Sequence, residues 1–537
     1  LFVINKDLSF HTMANTGLLV LTNPAKVTKL LPIIQKHVLK TLYIQYFPEK
    51  STFLPYNNTI TNPQWKATRF VQTISNIYID TSTISSRLDV RVLLTSIKSP
   101  DLSVINTKKP VEIVIFDEIC SKKEANAFIH DCLANTSMGC TFITFNDDYK
   151  VDKTNVATQC INEERMYKNV VLGGTFDRIH NGHKIFLSEA AMHCTEKLTV
   201  GVTDTNMLSA KLLWEMIEPC ATRISNIKDF LGDIDSTLTH NVVPITDMYG
   251  PTKDDPTFEM IVVSEETKRG GEKVNEMRMR NNLNQLDIHV VKLIEDENHR
   301  NHEEHKISSS NQRIRLLGTK LRPPRIGDKP LKPYIIGLTG GIASGKSSVA
   351  DKLQKLGAVL VNCDKIAHDL YLPGKRCFDA VVESFGPSIL DAGGFINRKA
   401  LGNIVFNDTT KLDKLNKMVW PIILEEAKKQ INNFYVKGFD VIVMEAAVLI
   451  QAKWQNECHE IWTCIIPQEE AIRRVIERNA LTETEAKLRI QAQPSNTEQV
   501  NEANVVICSL WSHNITEEQV QKAWDVLNTF LSEQEKN

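Results

Sequence analysis

The sequence predicts an α/β protein of three consecutive α/β domains, each with a mostly parallel sheet. The first observation is the length of 537 residues, which at about 150 residues per domain corresponds to three or four domains. The second is that short apolar runs alternate with stretches of helical spacing, as βα units do. The third is that two of the apolar runs lead directly into a glycine-rich turn and a helix.

Composition narrows the class of protein. Hydrophobic residues make up 42% and charged residues 24% of the chain, which provides for packed cores and excludes disorder as the main state. Lys and Arg total 63 and Asp and Glu total 65, so we expect no nucleic-acid partner. No apolar run reaches 18 residues, so we expect no transmembrane segment. The 11 cysteines form no C-x-x-C pair, which argues against a disulfide framework or a zinc ribbon.

Residues 1–150 are predicted to form an N-terminal α/β domain. Apolar runs typical of strands lie at residues 17–21, 41–46, 90–94 and 112–116, and helical spacing lies at 25–39, 63–79 and 122–135. No glycine fingerprint follows these strands, so no nucleotide site is indicated here. Residues 13–47 contain lysines but no Asp or Glu, which fits either a folded strand and helix or an acid-poor targeting segment. The polar stretch 146–168 leads to the next domain.

Residues 168–318 are predicted to form the second domain around one glycine-rich turn. The apolar run at 169–172 is followed by GGTFDRIHNGH at 173–183 and by a predicted helix at 184–193. Glycines allow the backbone to approach a phosphate closely, and a helix amino terminus favours anions. His180 and His183 meet that helix start, where fixed donors can stabilise charge that develops on a phosphoryl group. A lone histidine would more often be a packed residue, but this pair indicates a site.

Two further segments of the second domain carry candidate phosphate ligands. Lys211 lies in a stretch predicted to be helical that ends at Glu218 and Pro219. The run of serines before Arg313 predicts a helix start whose hydroxyl and N–H groups suit the terminal phosphates of a nucleotide. Taken alone, such a serine run is more often an ordinary helix cap.

The stretch 319–333 contains four prolines and no apolar period, which predicts a flexible linker to a third domain at 334–537. That domain opens with an apolar run, then GGIASGKS at 340–347, and then a helix that stops at Gly357. This is the G-x-x-x-x-G-K-[ST] pattern, or P-loop. The loop N–H groups converge on phosphate oxygens, Lys346 reaches the β- and γ-phosphates, and the Ser347 hydroxyl can ligate Mg²⁺.

Three more residues extend the predicted P-loop site. Asp364 follows the apolar run at 358–361, at the sheet edge where α/β proteins bind ligands, and it could accept a proton from an attacking hydroxyl. Its alternative role is a helix cap. Arg474 and Arg478 lie four residues apart on one predicted helix face, as in a lid that closes over a triphosphate. Arginines on a helix face are usually just solvated, so this interpretation depends on the P-loop.

The third domain resembles the dephospho-coenzyme A kinase family in LTGGIASGKS, the strand ending in NCD, GGFINRKALGNIVF and RNALTETEAKLRIQAQ. The resemblance covers 334–537 and implies a P-loop kinase domain with a parallel sheet and a helical lid. It implies that Asp364 is the base for a ribose 3′-hydroxyl, and that Arg398 and Arg489 help to hold the acceptor. ATP would be bound by Arg474, Arg478, Gly340, Gly341, Ile342, Ala343, Ser344, Gly345, the catalytic Lys346, and Ser347. The chain has Asn362-Cys363-Asp364 where the family often has D-x-D, and Trp420-Pro421 where it often has His-Pro.

The second domain resembles phosphopantetheine adenylyltransferases, especially the eukaryotic and archaeal form, in GGTFDRIHNGH, Lys211, VSEETKRGG and KISSSNQR. The resemblance implies a Rossmann-like HxGH nucleotidyltransferase domain. Thr175 and His183 would hold the transferring phosphoryl group, with His180 as the other catalytic histidine. Lys211 would neutralise that group and orient the attacking phosphate. The remaining ATP contacts would come from Gly173, Gly174, Phe176, Ser309, Ser310 and Arg313.

An adenylyltransferase followed by a dephospho-coenzyme A kinase is the layout of animal bifunctional coenzyme A synthases. The resemblance implies adenylyl transfer from ATP to 4′-phosphopantetheine, and then phosphorylation of the dephospho-coenzyme A 3′-hydroxyl by ATP, with Mg²⁺ in both steps. The expected partners are these small molecules. The resemblance allows a regulatory, protein-binding or peripheral membrane role for residues 1–150, and we expect a cytoplasmic protein with mitochondrial association. Two alternatives stay open: a fusion that acts on another nucleotide, such as nicotinamide mononucleotide, and a non-catalytic scaffold.

Overall fold

The computed structural model describes residues 13–47, 67–84, 88–99, 104–145, 165–405, 408–534 and 536. The chain divides into two compact units, Leu1–Gln312 and Arg313–Asn537. The first unit contains two five-stranded sheets and the second contains one. All neighbouring strands in the three sheets are parallel, which confirms the predicted fold class.

The first sheet comprises the four predicted strands and a fifth. Its strands are β1 (Ala14–Leu21), β2 (Val38–Tyr46), β3 (Asp89–Leu93), β4 (Val111–Phe116) and β5 (Thr136–Thr144). Its helices are α1 (Val27–Ile34), α2 (Val71–Ile84), α3 (Thr95–Lys98) and α4 (Lys122–Cys132). The strand order is β3-β2-β1-β4-β5. The sequence did not predict β5, because this strand is a partly exposed edge strand without a continuous apolar run.

The acid-free segment forms the middle of this sheet. β1 is buried over its last six residues, as expected for a parallel strand that is covered on both faces. α1 follows it, and the residues around Leu39 that were predicted to extend the helix belong to β2 instead. Residues 63–66 of the predicted second helix lie outside the described residues, and the described helical part begins with a 3-10 turn at Ala67–Phe70.

The second sheet has the same topology as the first. Its strands are β6 (Tyr167–Gly174), β7 (Cys194–Thr203), β8 (Thr239–Ile245), β9 (Met260–Ser264) and β10 (Asp287–Val291), and its helices are α5 (Asn181–His193), α6 (Cys220–Ile234), α7 (Lys268–Arg280) and α8 (Ser309–Leu316). The order β10-β9-β6-β7-β8 reverses to the 3-2-1-4-5 order of a Rossmann-like half. Of the predicted polar linker, residues 146–164 lie outside the described residues and 167–168 belong to β6.

The first two sheets share one hydrophobic core. Leu19 and Val92 of the first sheet belong to the same buried cluster as Leu187 of α5 and Phe230 of α6. The predicted boundary near residue 150 therefore separates two sheets in sequence, but their apolar side chains pack as one body.

The third sheet forms the second unit. Its strands are β11 (Tyr334–Gly340), β12 (Val359–Asn362), β13 (Val441–Glu445), β14 (Glu460–Ile465) and β15 (Val505–Cys508) in the order β12-β13-β11-β14-β15. Its helices are α9 (Lys346–Lys355), α10 (Cys363–Leu370), α11 (Arg376–Phe385), α12 (Arg398–Val405), α13 (Thr409–Val436), α14 (Gln468–Asn479), α15 (Glu483–Gln491), α16 (Asn496–Glu502) and α17 (His513–Gln534). The strand β11 lies at the centre of this sheet. Its carboxyl end is therefore in the middle of the edge formed by the carboxyl ends of the strands, where α/β proteins bind ligands.

The proline-containing stretch 319–333 contains no helix or extended strand, but it is held along the third sheet. Leu321 N donates to Asn504 O and Arg325 N donates to His459 O, each at 2.7 Å. Lys329 Nζ donates to the Cys458 carbonyl at 2.8 Å. The expected flexibility is therefore wrong for this stretch, since its backbone is fixed by hydrogen bonds to the third sheet. None of the described helices is long and apolar enough to cross a membrane.

Candidate active sites

The turn between β6 and α5 brings the two predicted histidines together. The His180 and His183 rings stack with centroids 3.8 Å apart and planes at 20°. Gly182 permits this arrangement, because a Cβ at that position would come within 3.1 Å of the His180 ring. Both rings therefore meet the amino end of α5, where a helix favours an anionic ligand.

Both imidazoles are neutral near pH 7. Burial, with a smaller contribution from His183, lowers the pKa of His180 well below its ordinary value. Burial lowers the pKa of His183 to about 4, although Asp177 opposes the shift and Lys211 adds to it. Among the described residues, both ring nitrogens of His180 and Nδ1 of His183 are buried without a hydrogen-bond partner. Buried polar atoms are normally paired, so these nitrogens suit a phosphate oxygen of a bound nucleotide.

Phe176 supports His183. Its ring centroid lies 5.2 Å from that of His183 and 6.2 Å from that of Phe186. Only 1% of Phe176 is exposed, and its φ of 51° is in the left-handed region. The side chain that was assigned to ATP therefore packs beneath the histidines and has almost no surface left for a ligand.

A buried arginine and a buried aspartate fix the turn itself. Arg223 donates to the carbonyl oxygens of Thr175 at 2.7 Å and Glu218 at 2.8 Å. The Asp177 carboxylate accepts from Glu218 N at 3.0 Å, and the Asp177 carbonyl accepts from Ser309 Oγ at 2.8 Å. These bonds tie the turn to α6 and α8. The bond from Arg223 holds the backbone of Thr175 in place.

Lys211 reaches the site from an irregular segment, so the predicted helix is wrong here. The segment contains two short 3-10 turns, Thr205–Met207 and Trp214–Met216, and Lys211 lies in a bend between them. Leu213 is buried with a φ of 52°, which interrupts helical geometry. The Lys211 ammonium is nevertheless close enough to lower the pKa of His183.

The serine run starts a helix, as predicted. α8 begins at Ser309, and Ser308 Oγ accepts from Asn311 N at 3.1 Å, which is the capping role named as the alternative. Ser310 and Arg313 lie on the first turns of α8, and Arg313 is 1% exposed. The Ser309 hydroxyl donates to the Asp177 carbonyl, so its lone pairs remain available as acceptors.

The P-loop needs glycine at two positions. Gly345 has a φ of 87°, and a Cβ there would come within 2.7 Å of Ser509 Oγ. A Cβ at Gly340 would come within 2.6 Å of the Cys464 carbonyl oxygen. Ala343 accepts a φ of 61° without being glycine. The loop therefore passes close against β14 and the residue after β15, and glycine is needed where it does so. Gly341, Ile342 and Ser344 belong to the same loop.

Lys346 faces a carboxylate that the sequence did not reveal. Its Nζ lies 4.0 Å from Glu445 Oε1, and Asn362 Nδ2 donates to Glu445 Oε2 at 2.7 Å. Burial raises the pKa of Glu445, which Lys346 opposes and Asp364 reinforces. Asp364 is exposed on the first turn of α10, whose N-cap is Asn362, so Asp364 is not itself the cap. Lys346, Ser347, Asp364 and Glu445 thus gather at one sheet edge.

Of the four arginines predicted for the third domain, Arg474 contacts the P-loop. It donates to the Ala343 carbonyl at 3.3 Å and to the Ser509 hydroxyl at 2.9 Å. Arg478 and Arg489 are exposed on α14 and α15, where a lid would present them to a ligand. Arg398 is exposed at the start of α12 and lies 2.6 Å from His368 Nδ1.

The structure adds Gln493 to the P-loop site. Its side-chain carbonyl accepts from Ile342 N at 2.6 Å, so the segment after α15 takes up one N–H group of the loop. Glu445 belongs to no quoted motif, whereas Gln493 is the last residue of RNALTETEAKLRIQAQ, and each reaches the loop from a distant part of the chain. The carboxyl end of an apolar strand was the signal that could have identified Glu445.

Comparisons with known proteins match three regions of the chain, and each region contains one of the three sheets. Family models match the COASY N-terminal domain at residues 15–142 and a cytidylyltransferase-like domain at 171–316. A third model, dephospho-CoA kinase, matches residues 334–512.

The relatives of the third sheet are close in sequence. A dephospho-CoA kinase of Carboxydothermus hydrogenoformans is 42% identical over 186 residues, which is 35% of this chain and 90% of the relative. The chain belongs to the dephospho-CoA kinase family. Another dephospho-CoA kinase, from Symbiobacterium thermophilum, is 36% identical over 190 residues, covering 35% of this chain and 80% of the relative. A solved dephospho-CoA kinase from Campylobacter jejuni is 23% identical, with a TM-score of 0.29, over 36% of this chain and 96% of that one.

The dephospho-CoA kinase region accounts for one of the three matched domains. The combination of all three in one chain matches a bifunctional coenzyme A synthase, and the COASY N-terminal domain fits the animal type. These matches agree with the two phosphate-binding turns, because the cytidylyltransferase-like match includes the β6–α5 turn and the dephospho-CoA kinase match includes the P-loop.

Proposed function

We propose that the chain catalyses the last two steps of coenzyme A biosynthesis. The first is adenylyl transfer from ATP to 4′-phosphopantetheine, and the second is phosphorylation of the dephospho-coenzyme A 3′-hydroxyl by ATP. One observation carries the proposal: a cytidylyltransferase-like domain with paired neutral histidines shares a chain with a dephospho-CoA kinase domain that has an intact P-loop.

In the first reaction, a phosphate oxygen of 4′-phosphopantetheine attacks the α-phosphorus of ATP, and pyrophosphate leaves with the bridging oxygen. A neutral imidazole keeps one N–H, so His180 and His183 donate to phosphate oxygens and hold the transferring group together with Thr175. The Lys211 ammonium stabilises the negative charge that develops there. Ser309 and Ser310 hold the outgoing phosphates at the start of α8, while the predicted contact of Arg313 is disfavoured by its exposure of only 1%. No protein nucleophile is needed.

In the second reaction, the 3′-hydroxyl oxygen of dephospho-coenzyme A attacks the γ-phosphorus of ATP, and ADP leaves. Asp364 accepts the hydroxyl proton, and Lys346 neutralises the β- and γ-phosphate oxygens. Arg474 supports the loop through Ala343, while Arg478 closes over the triphosphate from α14. Arg398 and Arg489 hold the acceptor.

The kinase site suits Mg²⁺. Kinases and ATPases hold Mg²⁺ through one or two oxygen side chains and the substrate phosphates. Ser347 is exposed at the start of α9, with the carboxylates of Glu445 and Asp364 at the same sheet edge. Within the described residues, no group of three or more His, Cys, Asp or Glu could hold a metal, so phosphate oxygens would complete the coordination. Bound Mg²⁺ screens the phosphate charge.

Substrate comparison tests the proposed activity against its alternatives. Mg-ATP is supplied with either 4′-phosphopantetheine or nicotinamide mononucleotide, and pyrophosphate release is measured. We expect release with 4′-phosphopantetheine alone. Release with nicotinamide mononucleotide alone would favour a fusion for another nucleotide. No turnover of either compound, or of dephospho-coenzyme A, would favour a non-catalytic scaffold.

We also propose a cytoplasmic location with association at the mitochondrial surface. Lys29, Lys36 and Lys40 are exposed in the acid-free segment 13–47, and such lysines are attracted to anionic lipid. Fractionation of cells that express the full chain tests this. Protection of the chain from protease by intact mitochondria would contradict a surface location.

A further inference from the structure

Two helices join the first and second sheets. Ser75 of α2 donates to Glu189 Oε1 of α5 at 2.7 Å, and Asn181 at the start of α5 bonds to the last turns of α2. The two helices therefore run antiparallel. The carboxyl end of α2 lies at the amino end of α5, where their opposite dipole charges attract. The start of α5 is also the part of the second sheet that carries both histidines.

Asn181 is the motif residue that faces the first sheet. Its Nδ2 lies 2.7 Å from Ser82 Oγ, 3.0 Å from the Tyr78 carbonyl oxygen and 3.2 Å from Thr81 Oγ1. A side-chain amide has two N–H donors, so these acceptors engage both of them. The residue next to His180 is therefore fixed by the N-terminal domain.

Lys184 provides a second attachment one turn further along α5. Its Nζ donates to Asp89 Oδ1 at 2.7 Å and to the Val90 carbonyl at 2.8 Å, and only 5% of its side chain is exposed. Arg91 Nε donates to the other Asp89 oxygen at 2.9 Å. Burial alone would raise the pKa of Asp89, but Lys184 and Arg91 lower it overall. A charged network therefore lies between β3 and α5.

The same network continues to α6. Arg91 bonds to Asp233, whose carboxylate is fully buried, and also to Asp229 Oδ2 at 2.8 Å. Tyr43 of β2 donates to Asp233 Oδ2 at 2.9 Å. Buried charges are stable only with well-placed partners, so these contacts fix one relative position of the two sheets.

We propose that the N-terminal domain is a structural part of the adenylyltransferase site and sets the position of the histidine pair through Asn181 and Lys184. This rests on the proposed function of the β6–α5 turn. Asn181 is a positioning residue, because it acts on His180 and His183 through the start of α5. If the N-terminal domain were independent of the site, the Asn181 amide inside the GGTFDRIHNGH motif would not be expected to donate both of its N–H groups to α2.

The test compares both reactions in full-length variants. Pyrophosphate release from 4′-phosphopantetheine and ADP formation from dephospho-coenzyme A are measured on the same preparation. Ser82→Ala should lower kcat for adenylyl transfer about 10-fold through the loss of the hydrogen bond from Asn181. Asn181→Ala should lower it about 100-fold, as expected for misplaced catalytic groups. Kinase activity should stay unchanged in both.

The double variant separates positioning from general destabilisation. Ser82→Ala combined with Asn181→Ala should cost no more than Asn181→Ala alone, because Asn181→Ala already breaks the contact that Ser82→Ala removes. Ser82→Thr, which keeps the hydroxyl, should restore activity. Thr136→Ala is the matched control, since Thr136 is an exposed residue of the opposite edge strand β5.

Three outcomes would overturn the inference alone. They are full adenylyl transfer by Asn181→Ala, losses that multiply in the double variant, and equal activities of Ser82→Ala and Ser82→Thr. The last comparison decides the matter even if Asn181→Ala fails to fold. A wild-type chain that releases no pyrophosphate from 4′-phosphopantetheine would overturn the proposed function, and with it this inference.

Discussion

His180 and His183 stack face to face with their ring centroids 3.8 Å apart. Two imidazolium ions at this distance would repel each other, so protonation of one ring disfavours protonation of the other. Because burial acts in the same direction, the pair is neutral in the pH range where the enzyme is expected to work. The rings then serve as hydrogen-bond donors to phosphate, and the positive charge comes from Lys211.

Removal of one ring should affect one reaction. We expect His183→Ala to lower kcat for adenylyl transfer about 100- to 1,000-fold, as for loss of a fixed donor to developing charge. Dephospho-coenzyme A kinase activity should be unchanged. His130→Ala is the control, because 89% of that side chain is exposed. Loss of both reactions in folded His183→Ala would contradict the account of two independent sites.

The same histidine should make stability depend on pH. Its pKa is about 4 in the folded protein against 6.5 ordinarily, so the unfolded chain binds more protons between these values. The stability it contributes is present above about pH 6.5 and is lost as the pH falls to about 4, by about 3 kcal/mol. Urea unfolding of the wild type and His183→Gln across this range measures the effect. A difference in unfolding free energy that does not change with pH would contradict it.

Glu445 should matter for the kinase step although it lies in no motif. Its carboxylate is 4.0 Å from Lys346 Nζ and accepts from Asn362. We expect Glu445→Gln to lower kinase kcat about 10- to 100-fold, since it removes the negative charge that faces the Lys346 ammonium. Adenylyl transfer should be unaffected. The control is Glu477→Gln, an exposed residue of α14. Equal kinase activities of these two variants would remove Glu445 from the site.

Close packing at the P-loop predicts a specific glycine requirement. Gly345→Ala places a Cβ 2.7 Å from Ser509 Oγ at a φ of 87°, so the loop must shift and kinase activity should be lost. Gly438→Ala has a similar φ of 93° with nothing within 4 Å, and it lies before β13, at the opposite edge of the sheet. That variant should be less stable by about 1 kcal/mol and fully active. Equal activity losses in both would show that strain alone is responsible.

Local patterns were enough to predict the two phosphate-binding turns. A strand, a glycine-rich turn and a helix follow one another directly in both cases, so His180, His183, Lys346 and Ser347 are placed by their immediate neighbours. The serine-rich start of α8 was predictable for the same reason. Parallel sheets also followed from alternating strands and helices.

Contacts between distant segments could not be predicted. Glu445 reaches Lys346 only because β13 lies between β12 and β11, and Arg223 reaches Thr175 from α6, 48 residues further along the chain. The stretch with Lys211 has apolar residues at helical spacing, yet the buried Leu213 holds a left-handed conformation. The sequence of 319–333 predicted a flexible linker, because the hydrogen bonds that order this stretch come from distant residues of the third sheet and its loops. The attachment of Asn181 to Ser82 likewise depends on how two sheets pack.

The most direct test of the account is a time course of products from 4′-phosphopantetheine and Mg-ATP, separated by chromatography, for the full chain. We predict that dephospho-coenzyme A appears first and is then converted to coenzyme A, with one pyrophosphate and one ADP formed per coenzyme A. Lys346→Ala should stop at dephospho-coenzyme A. Formation of neither product by the wild type, or of coenzyme A by Lys346→Ala, would contradict the assignment of two sequential sites in one chain.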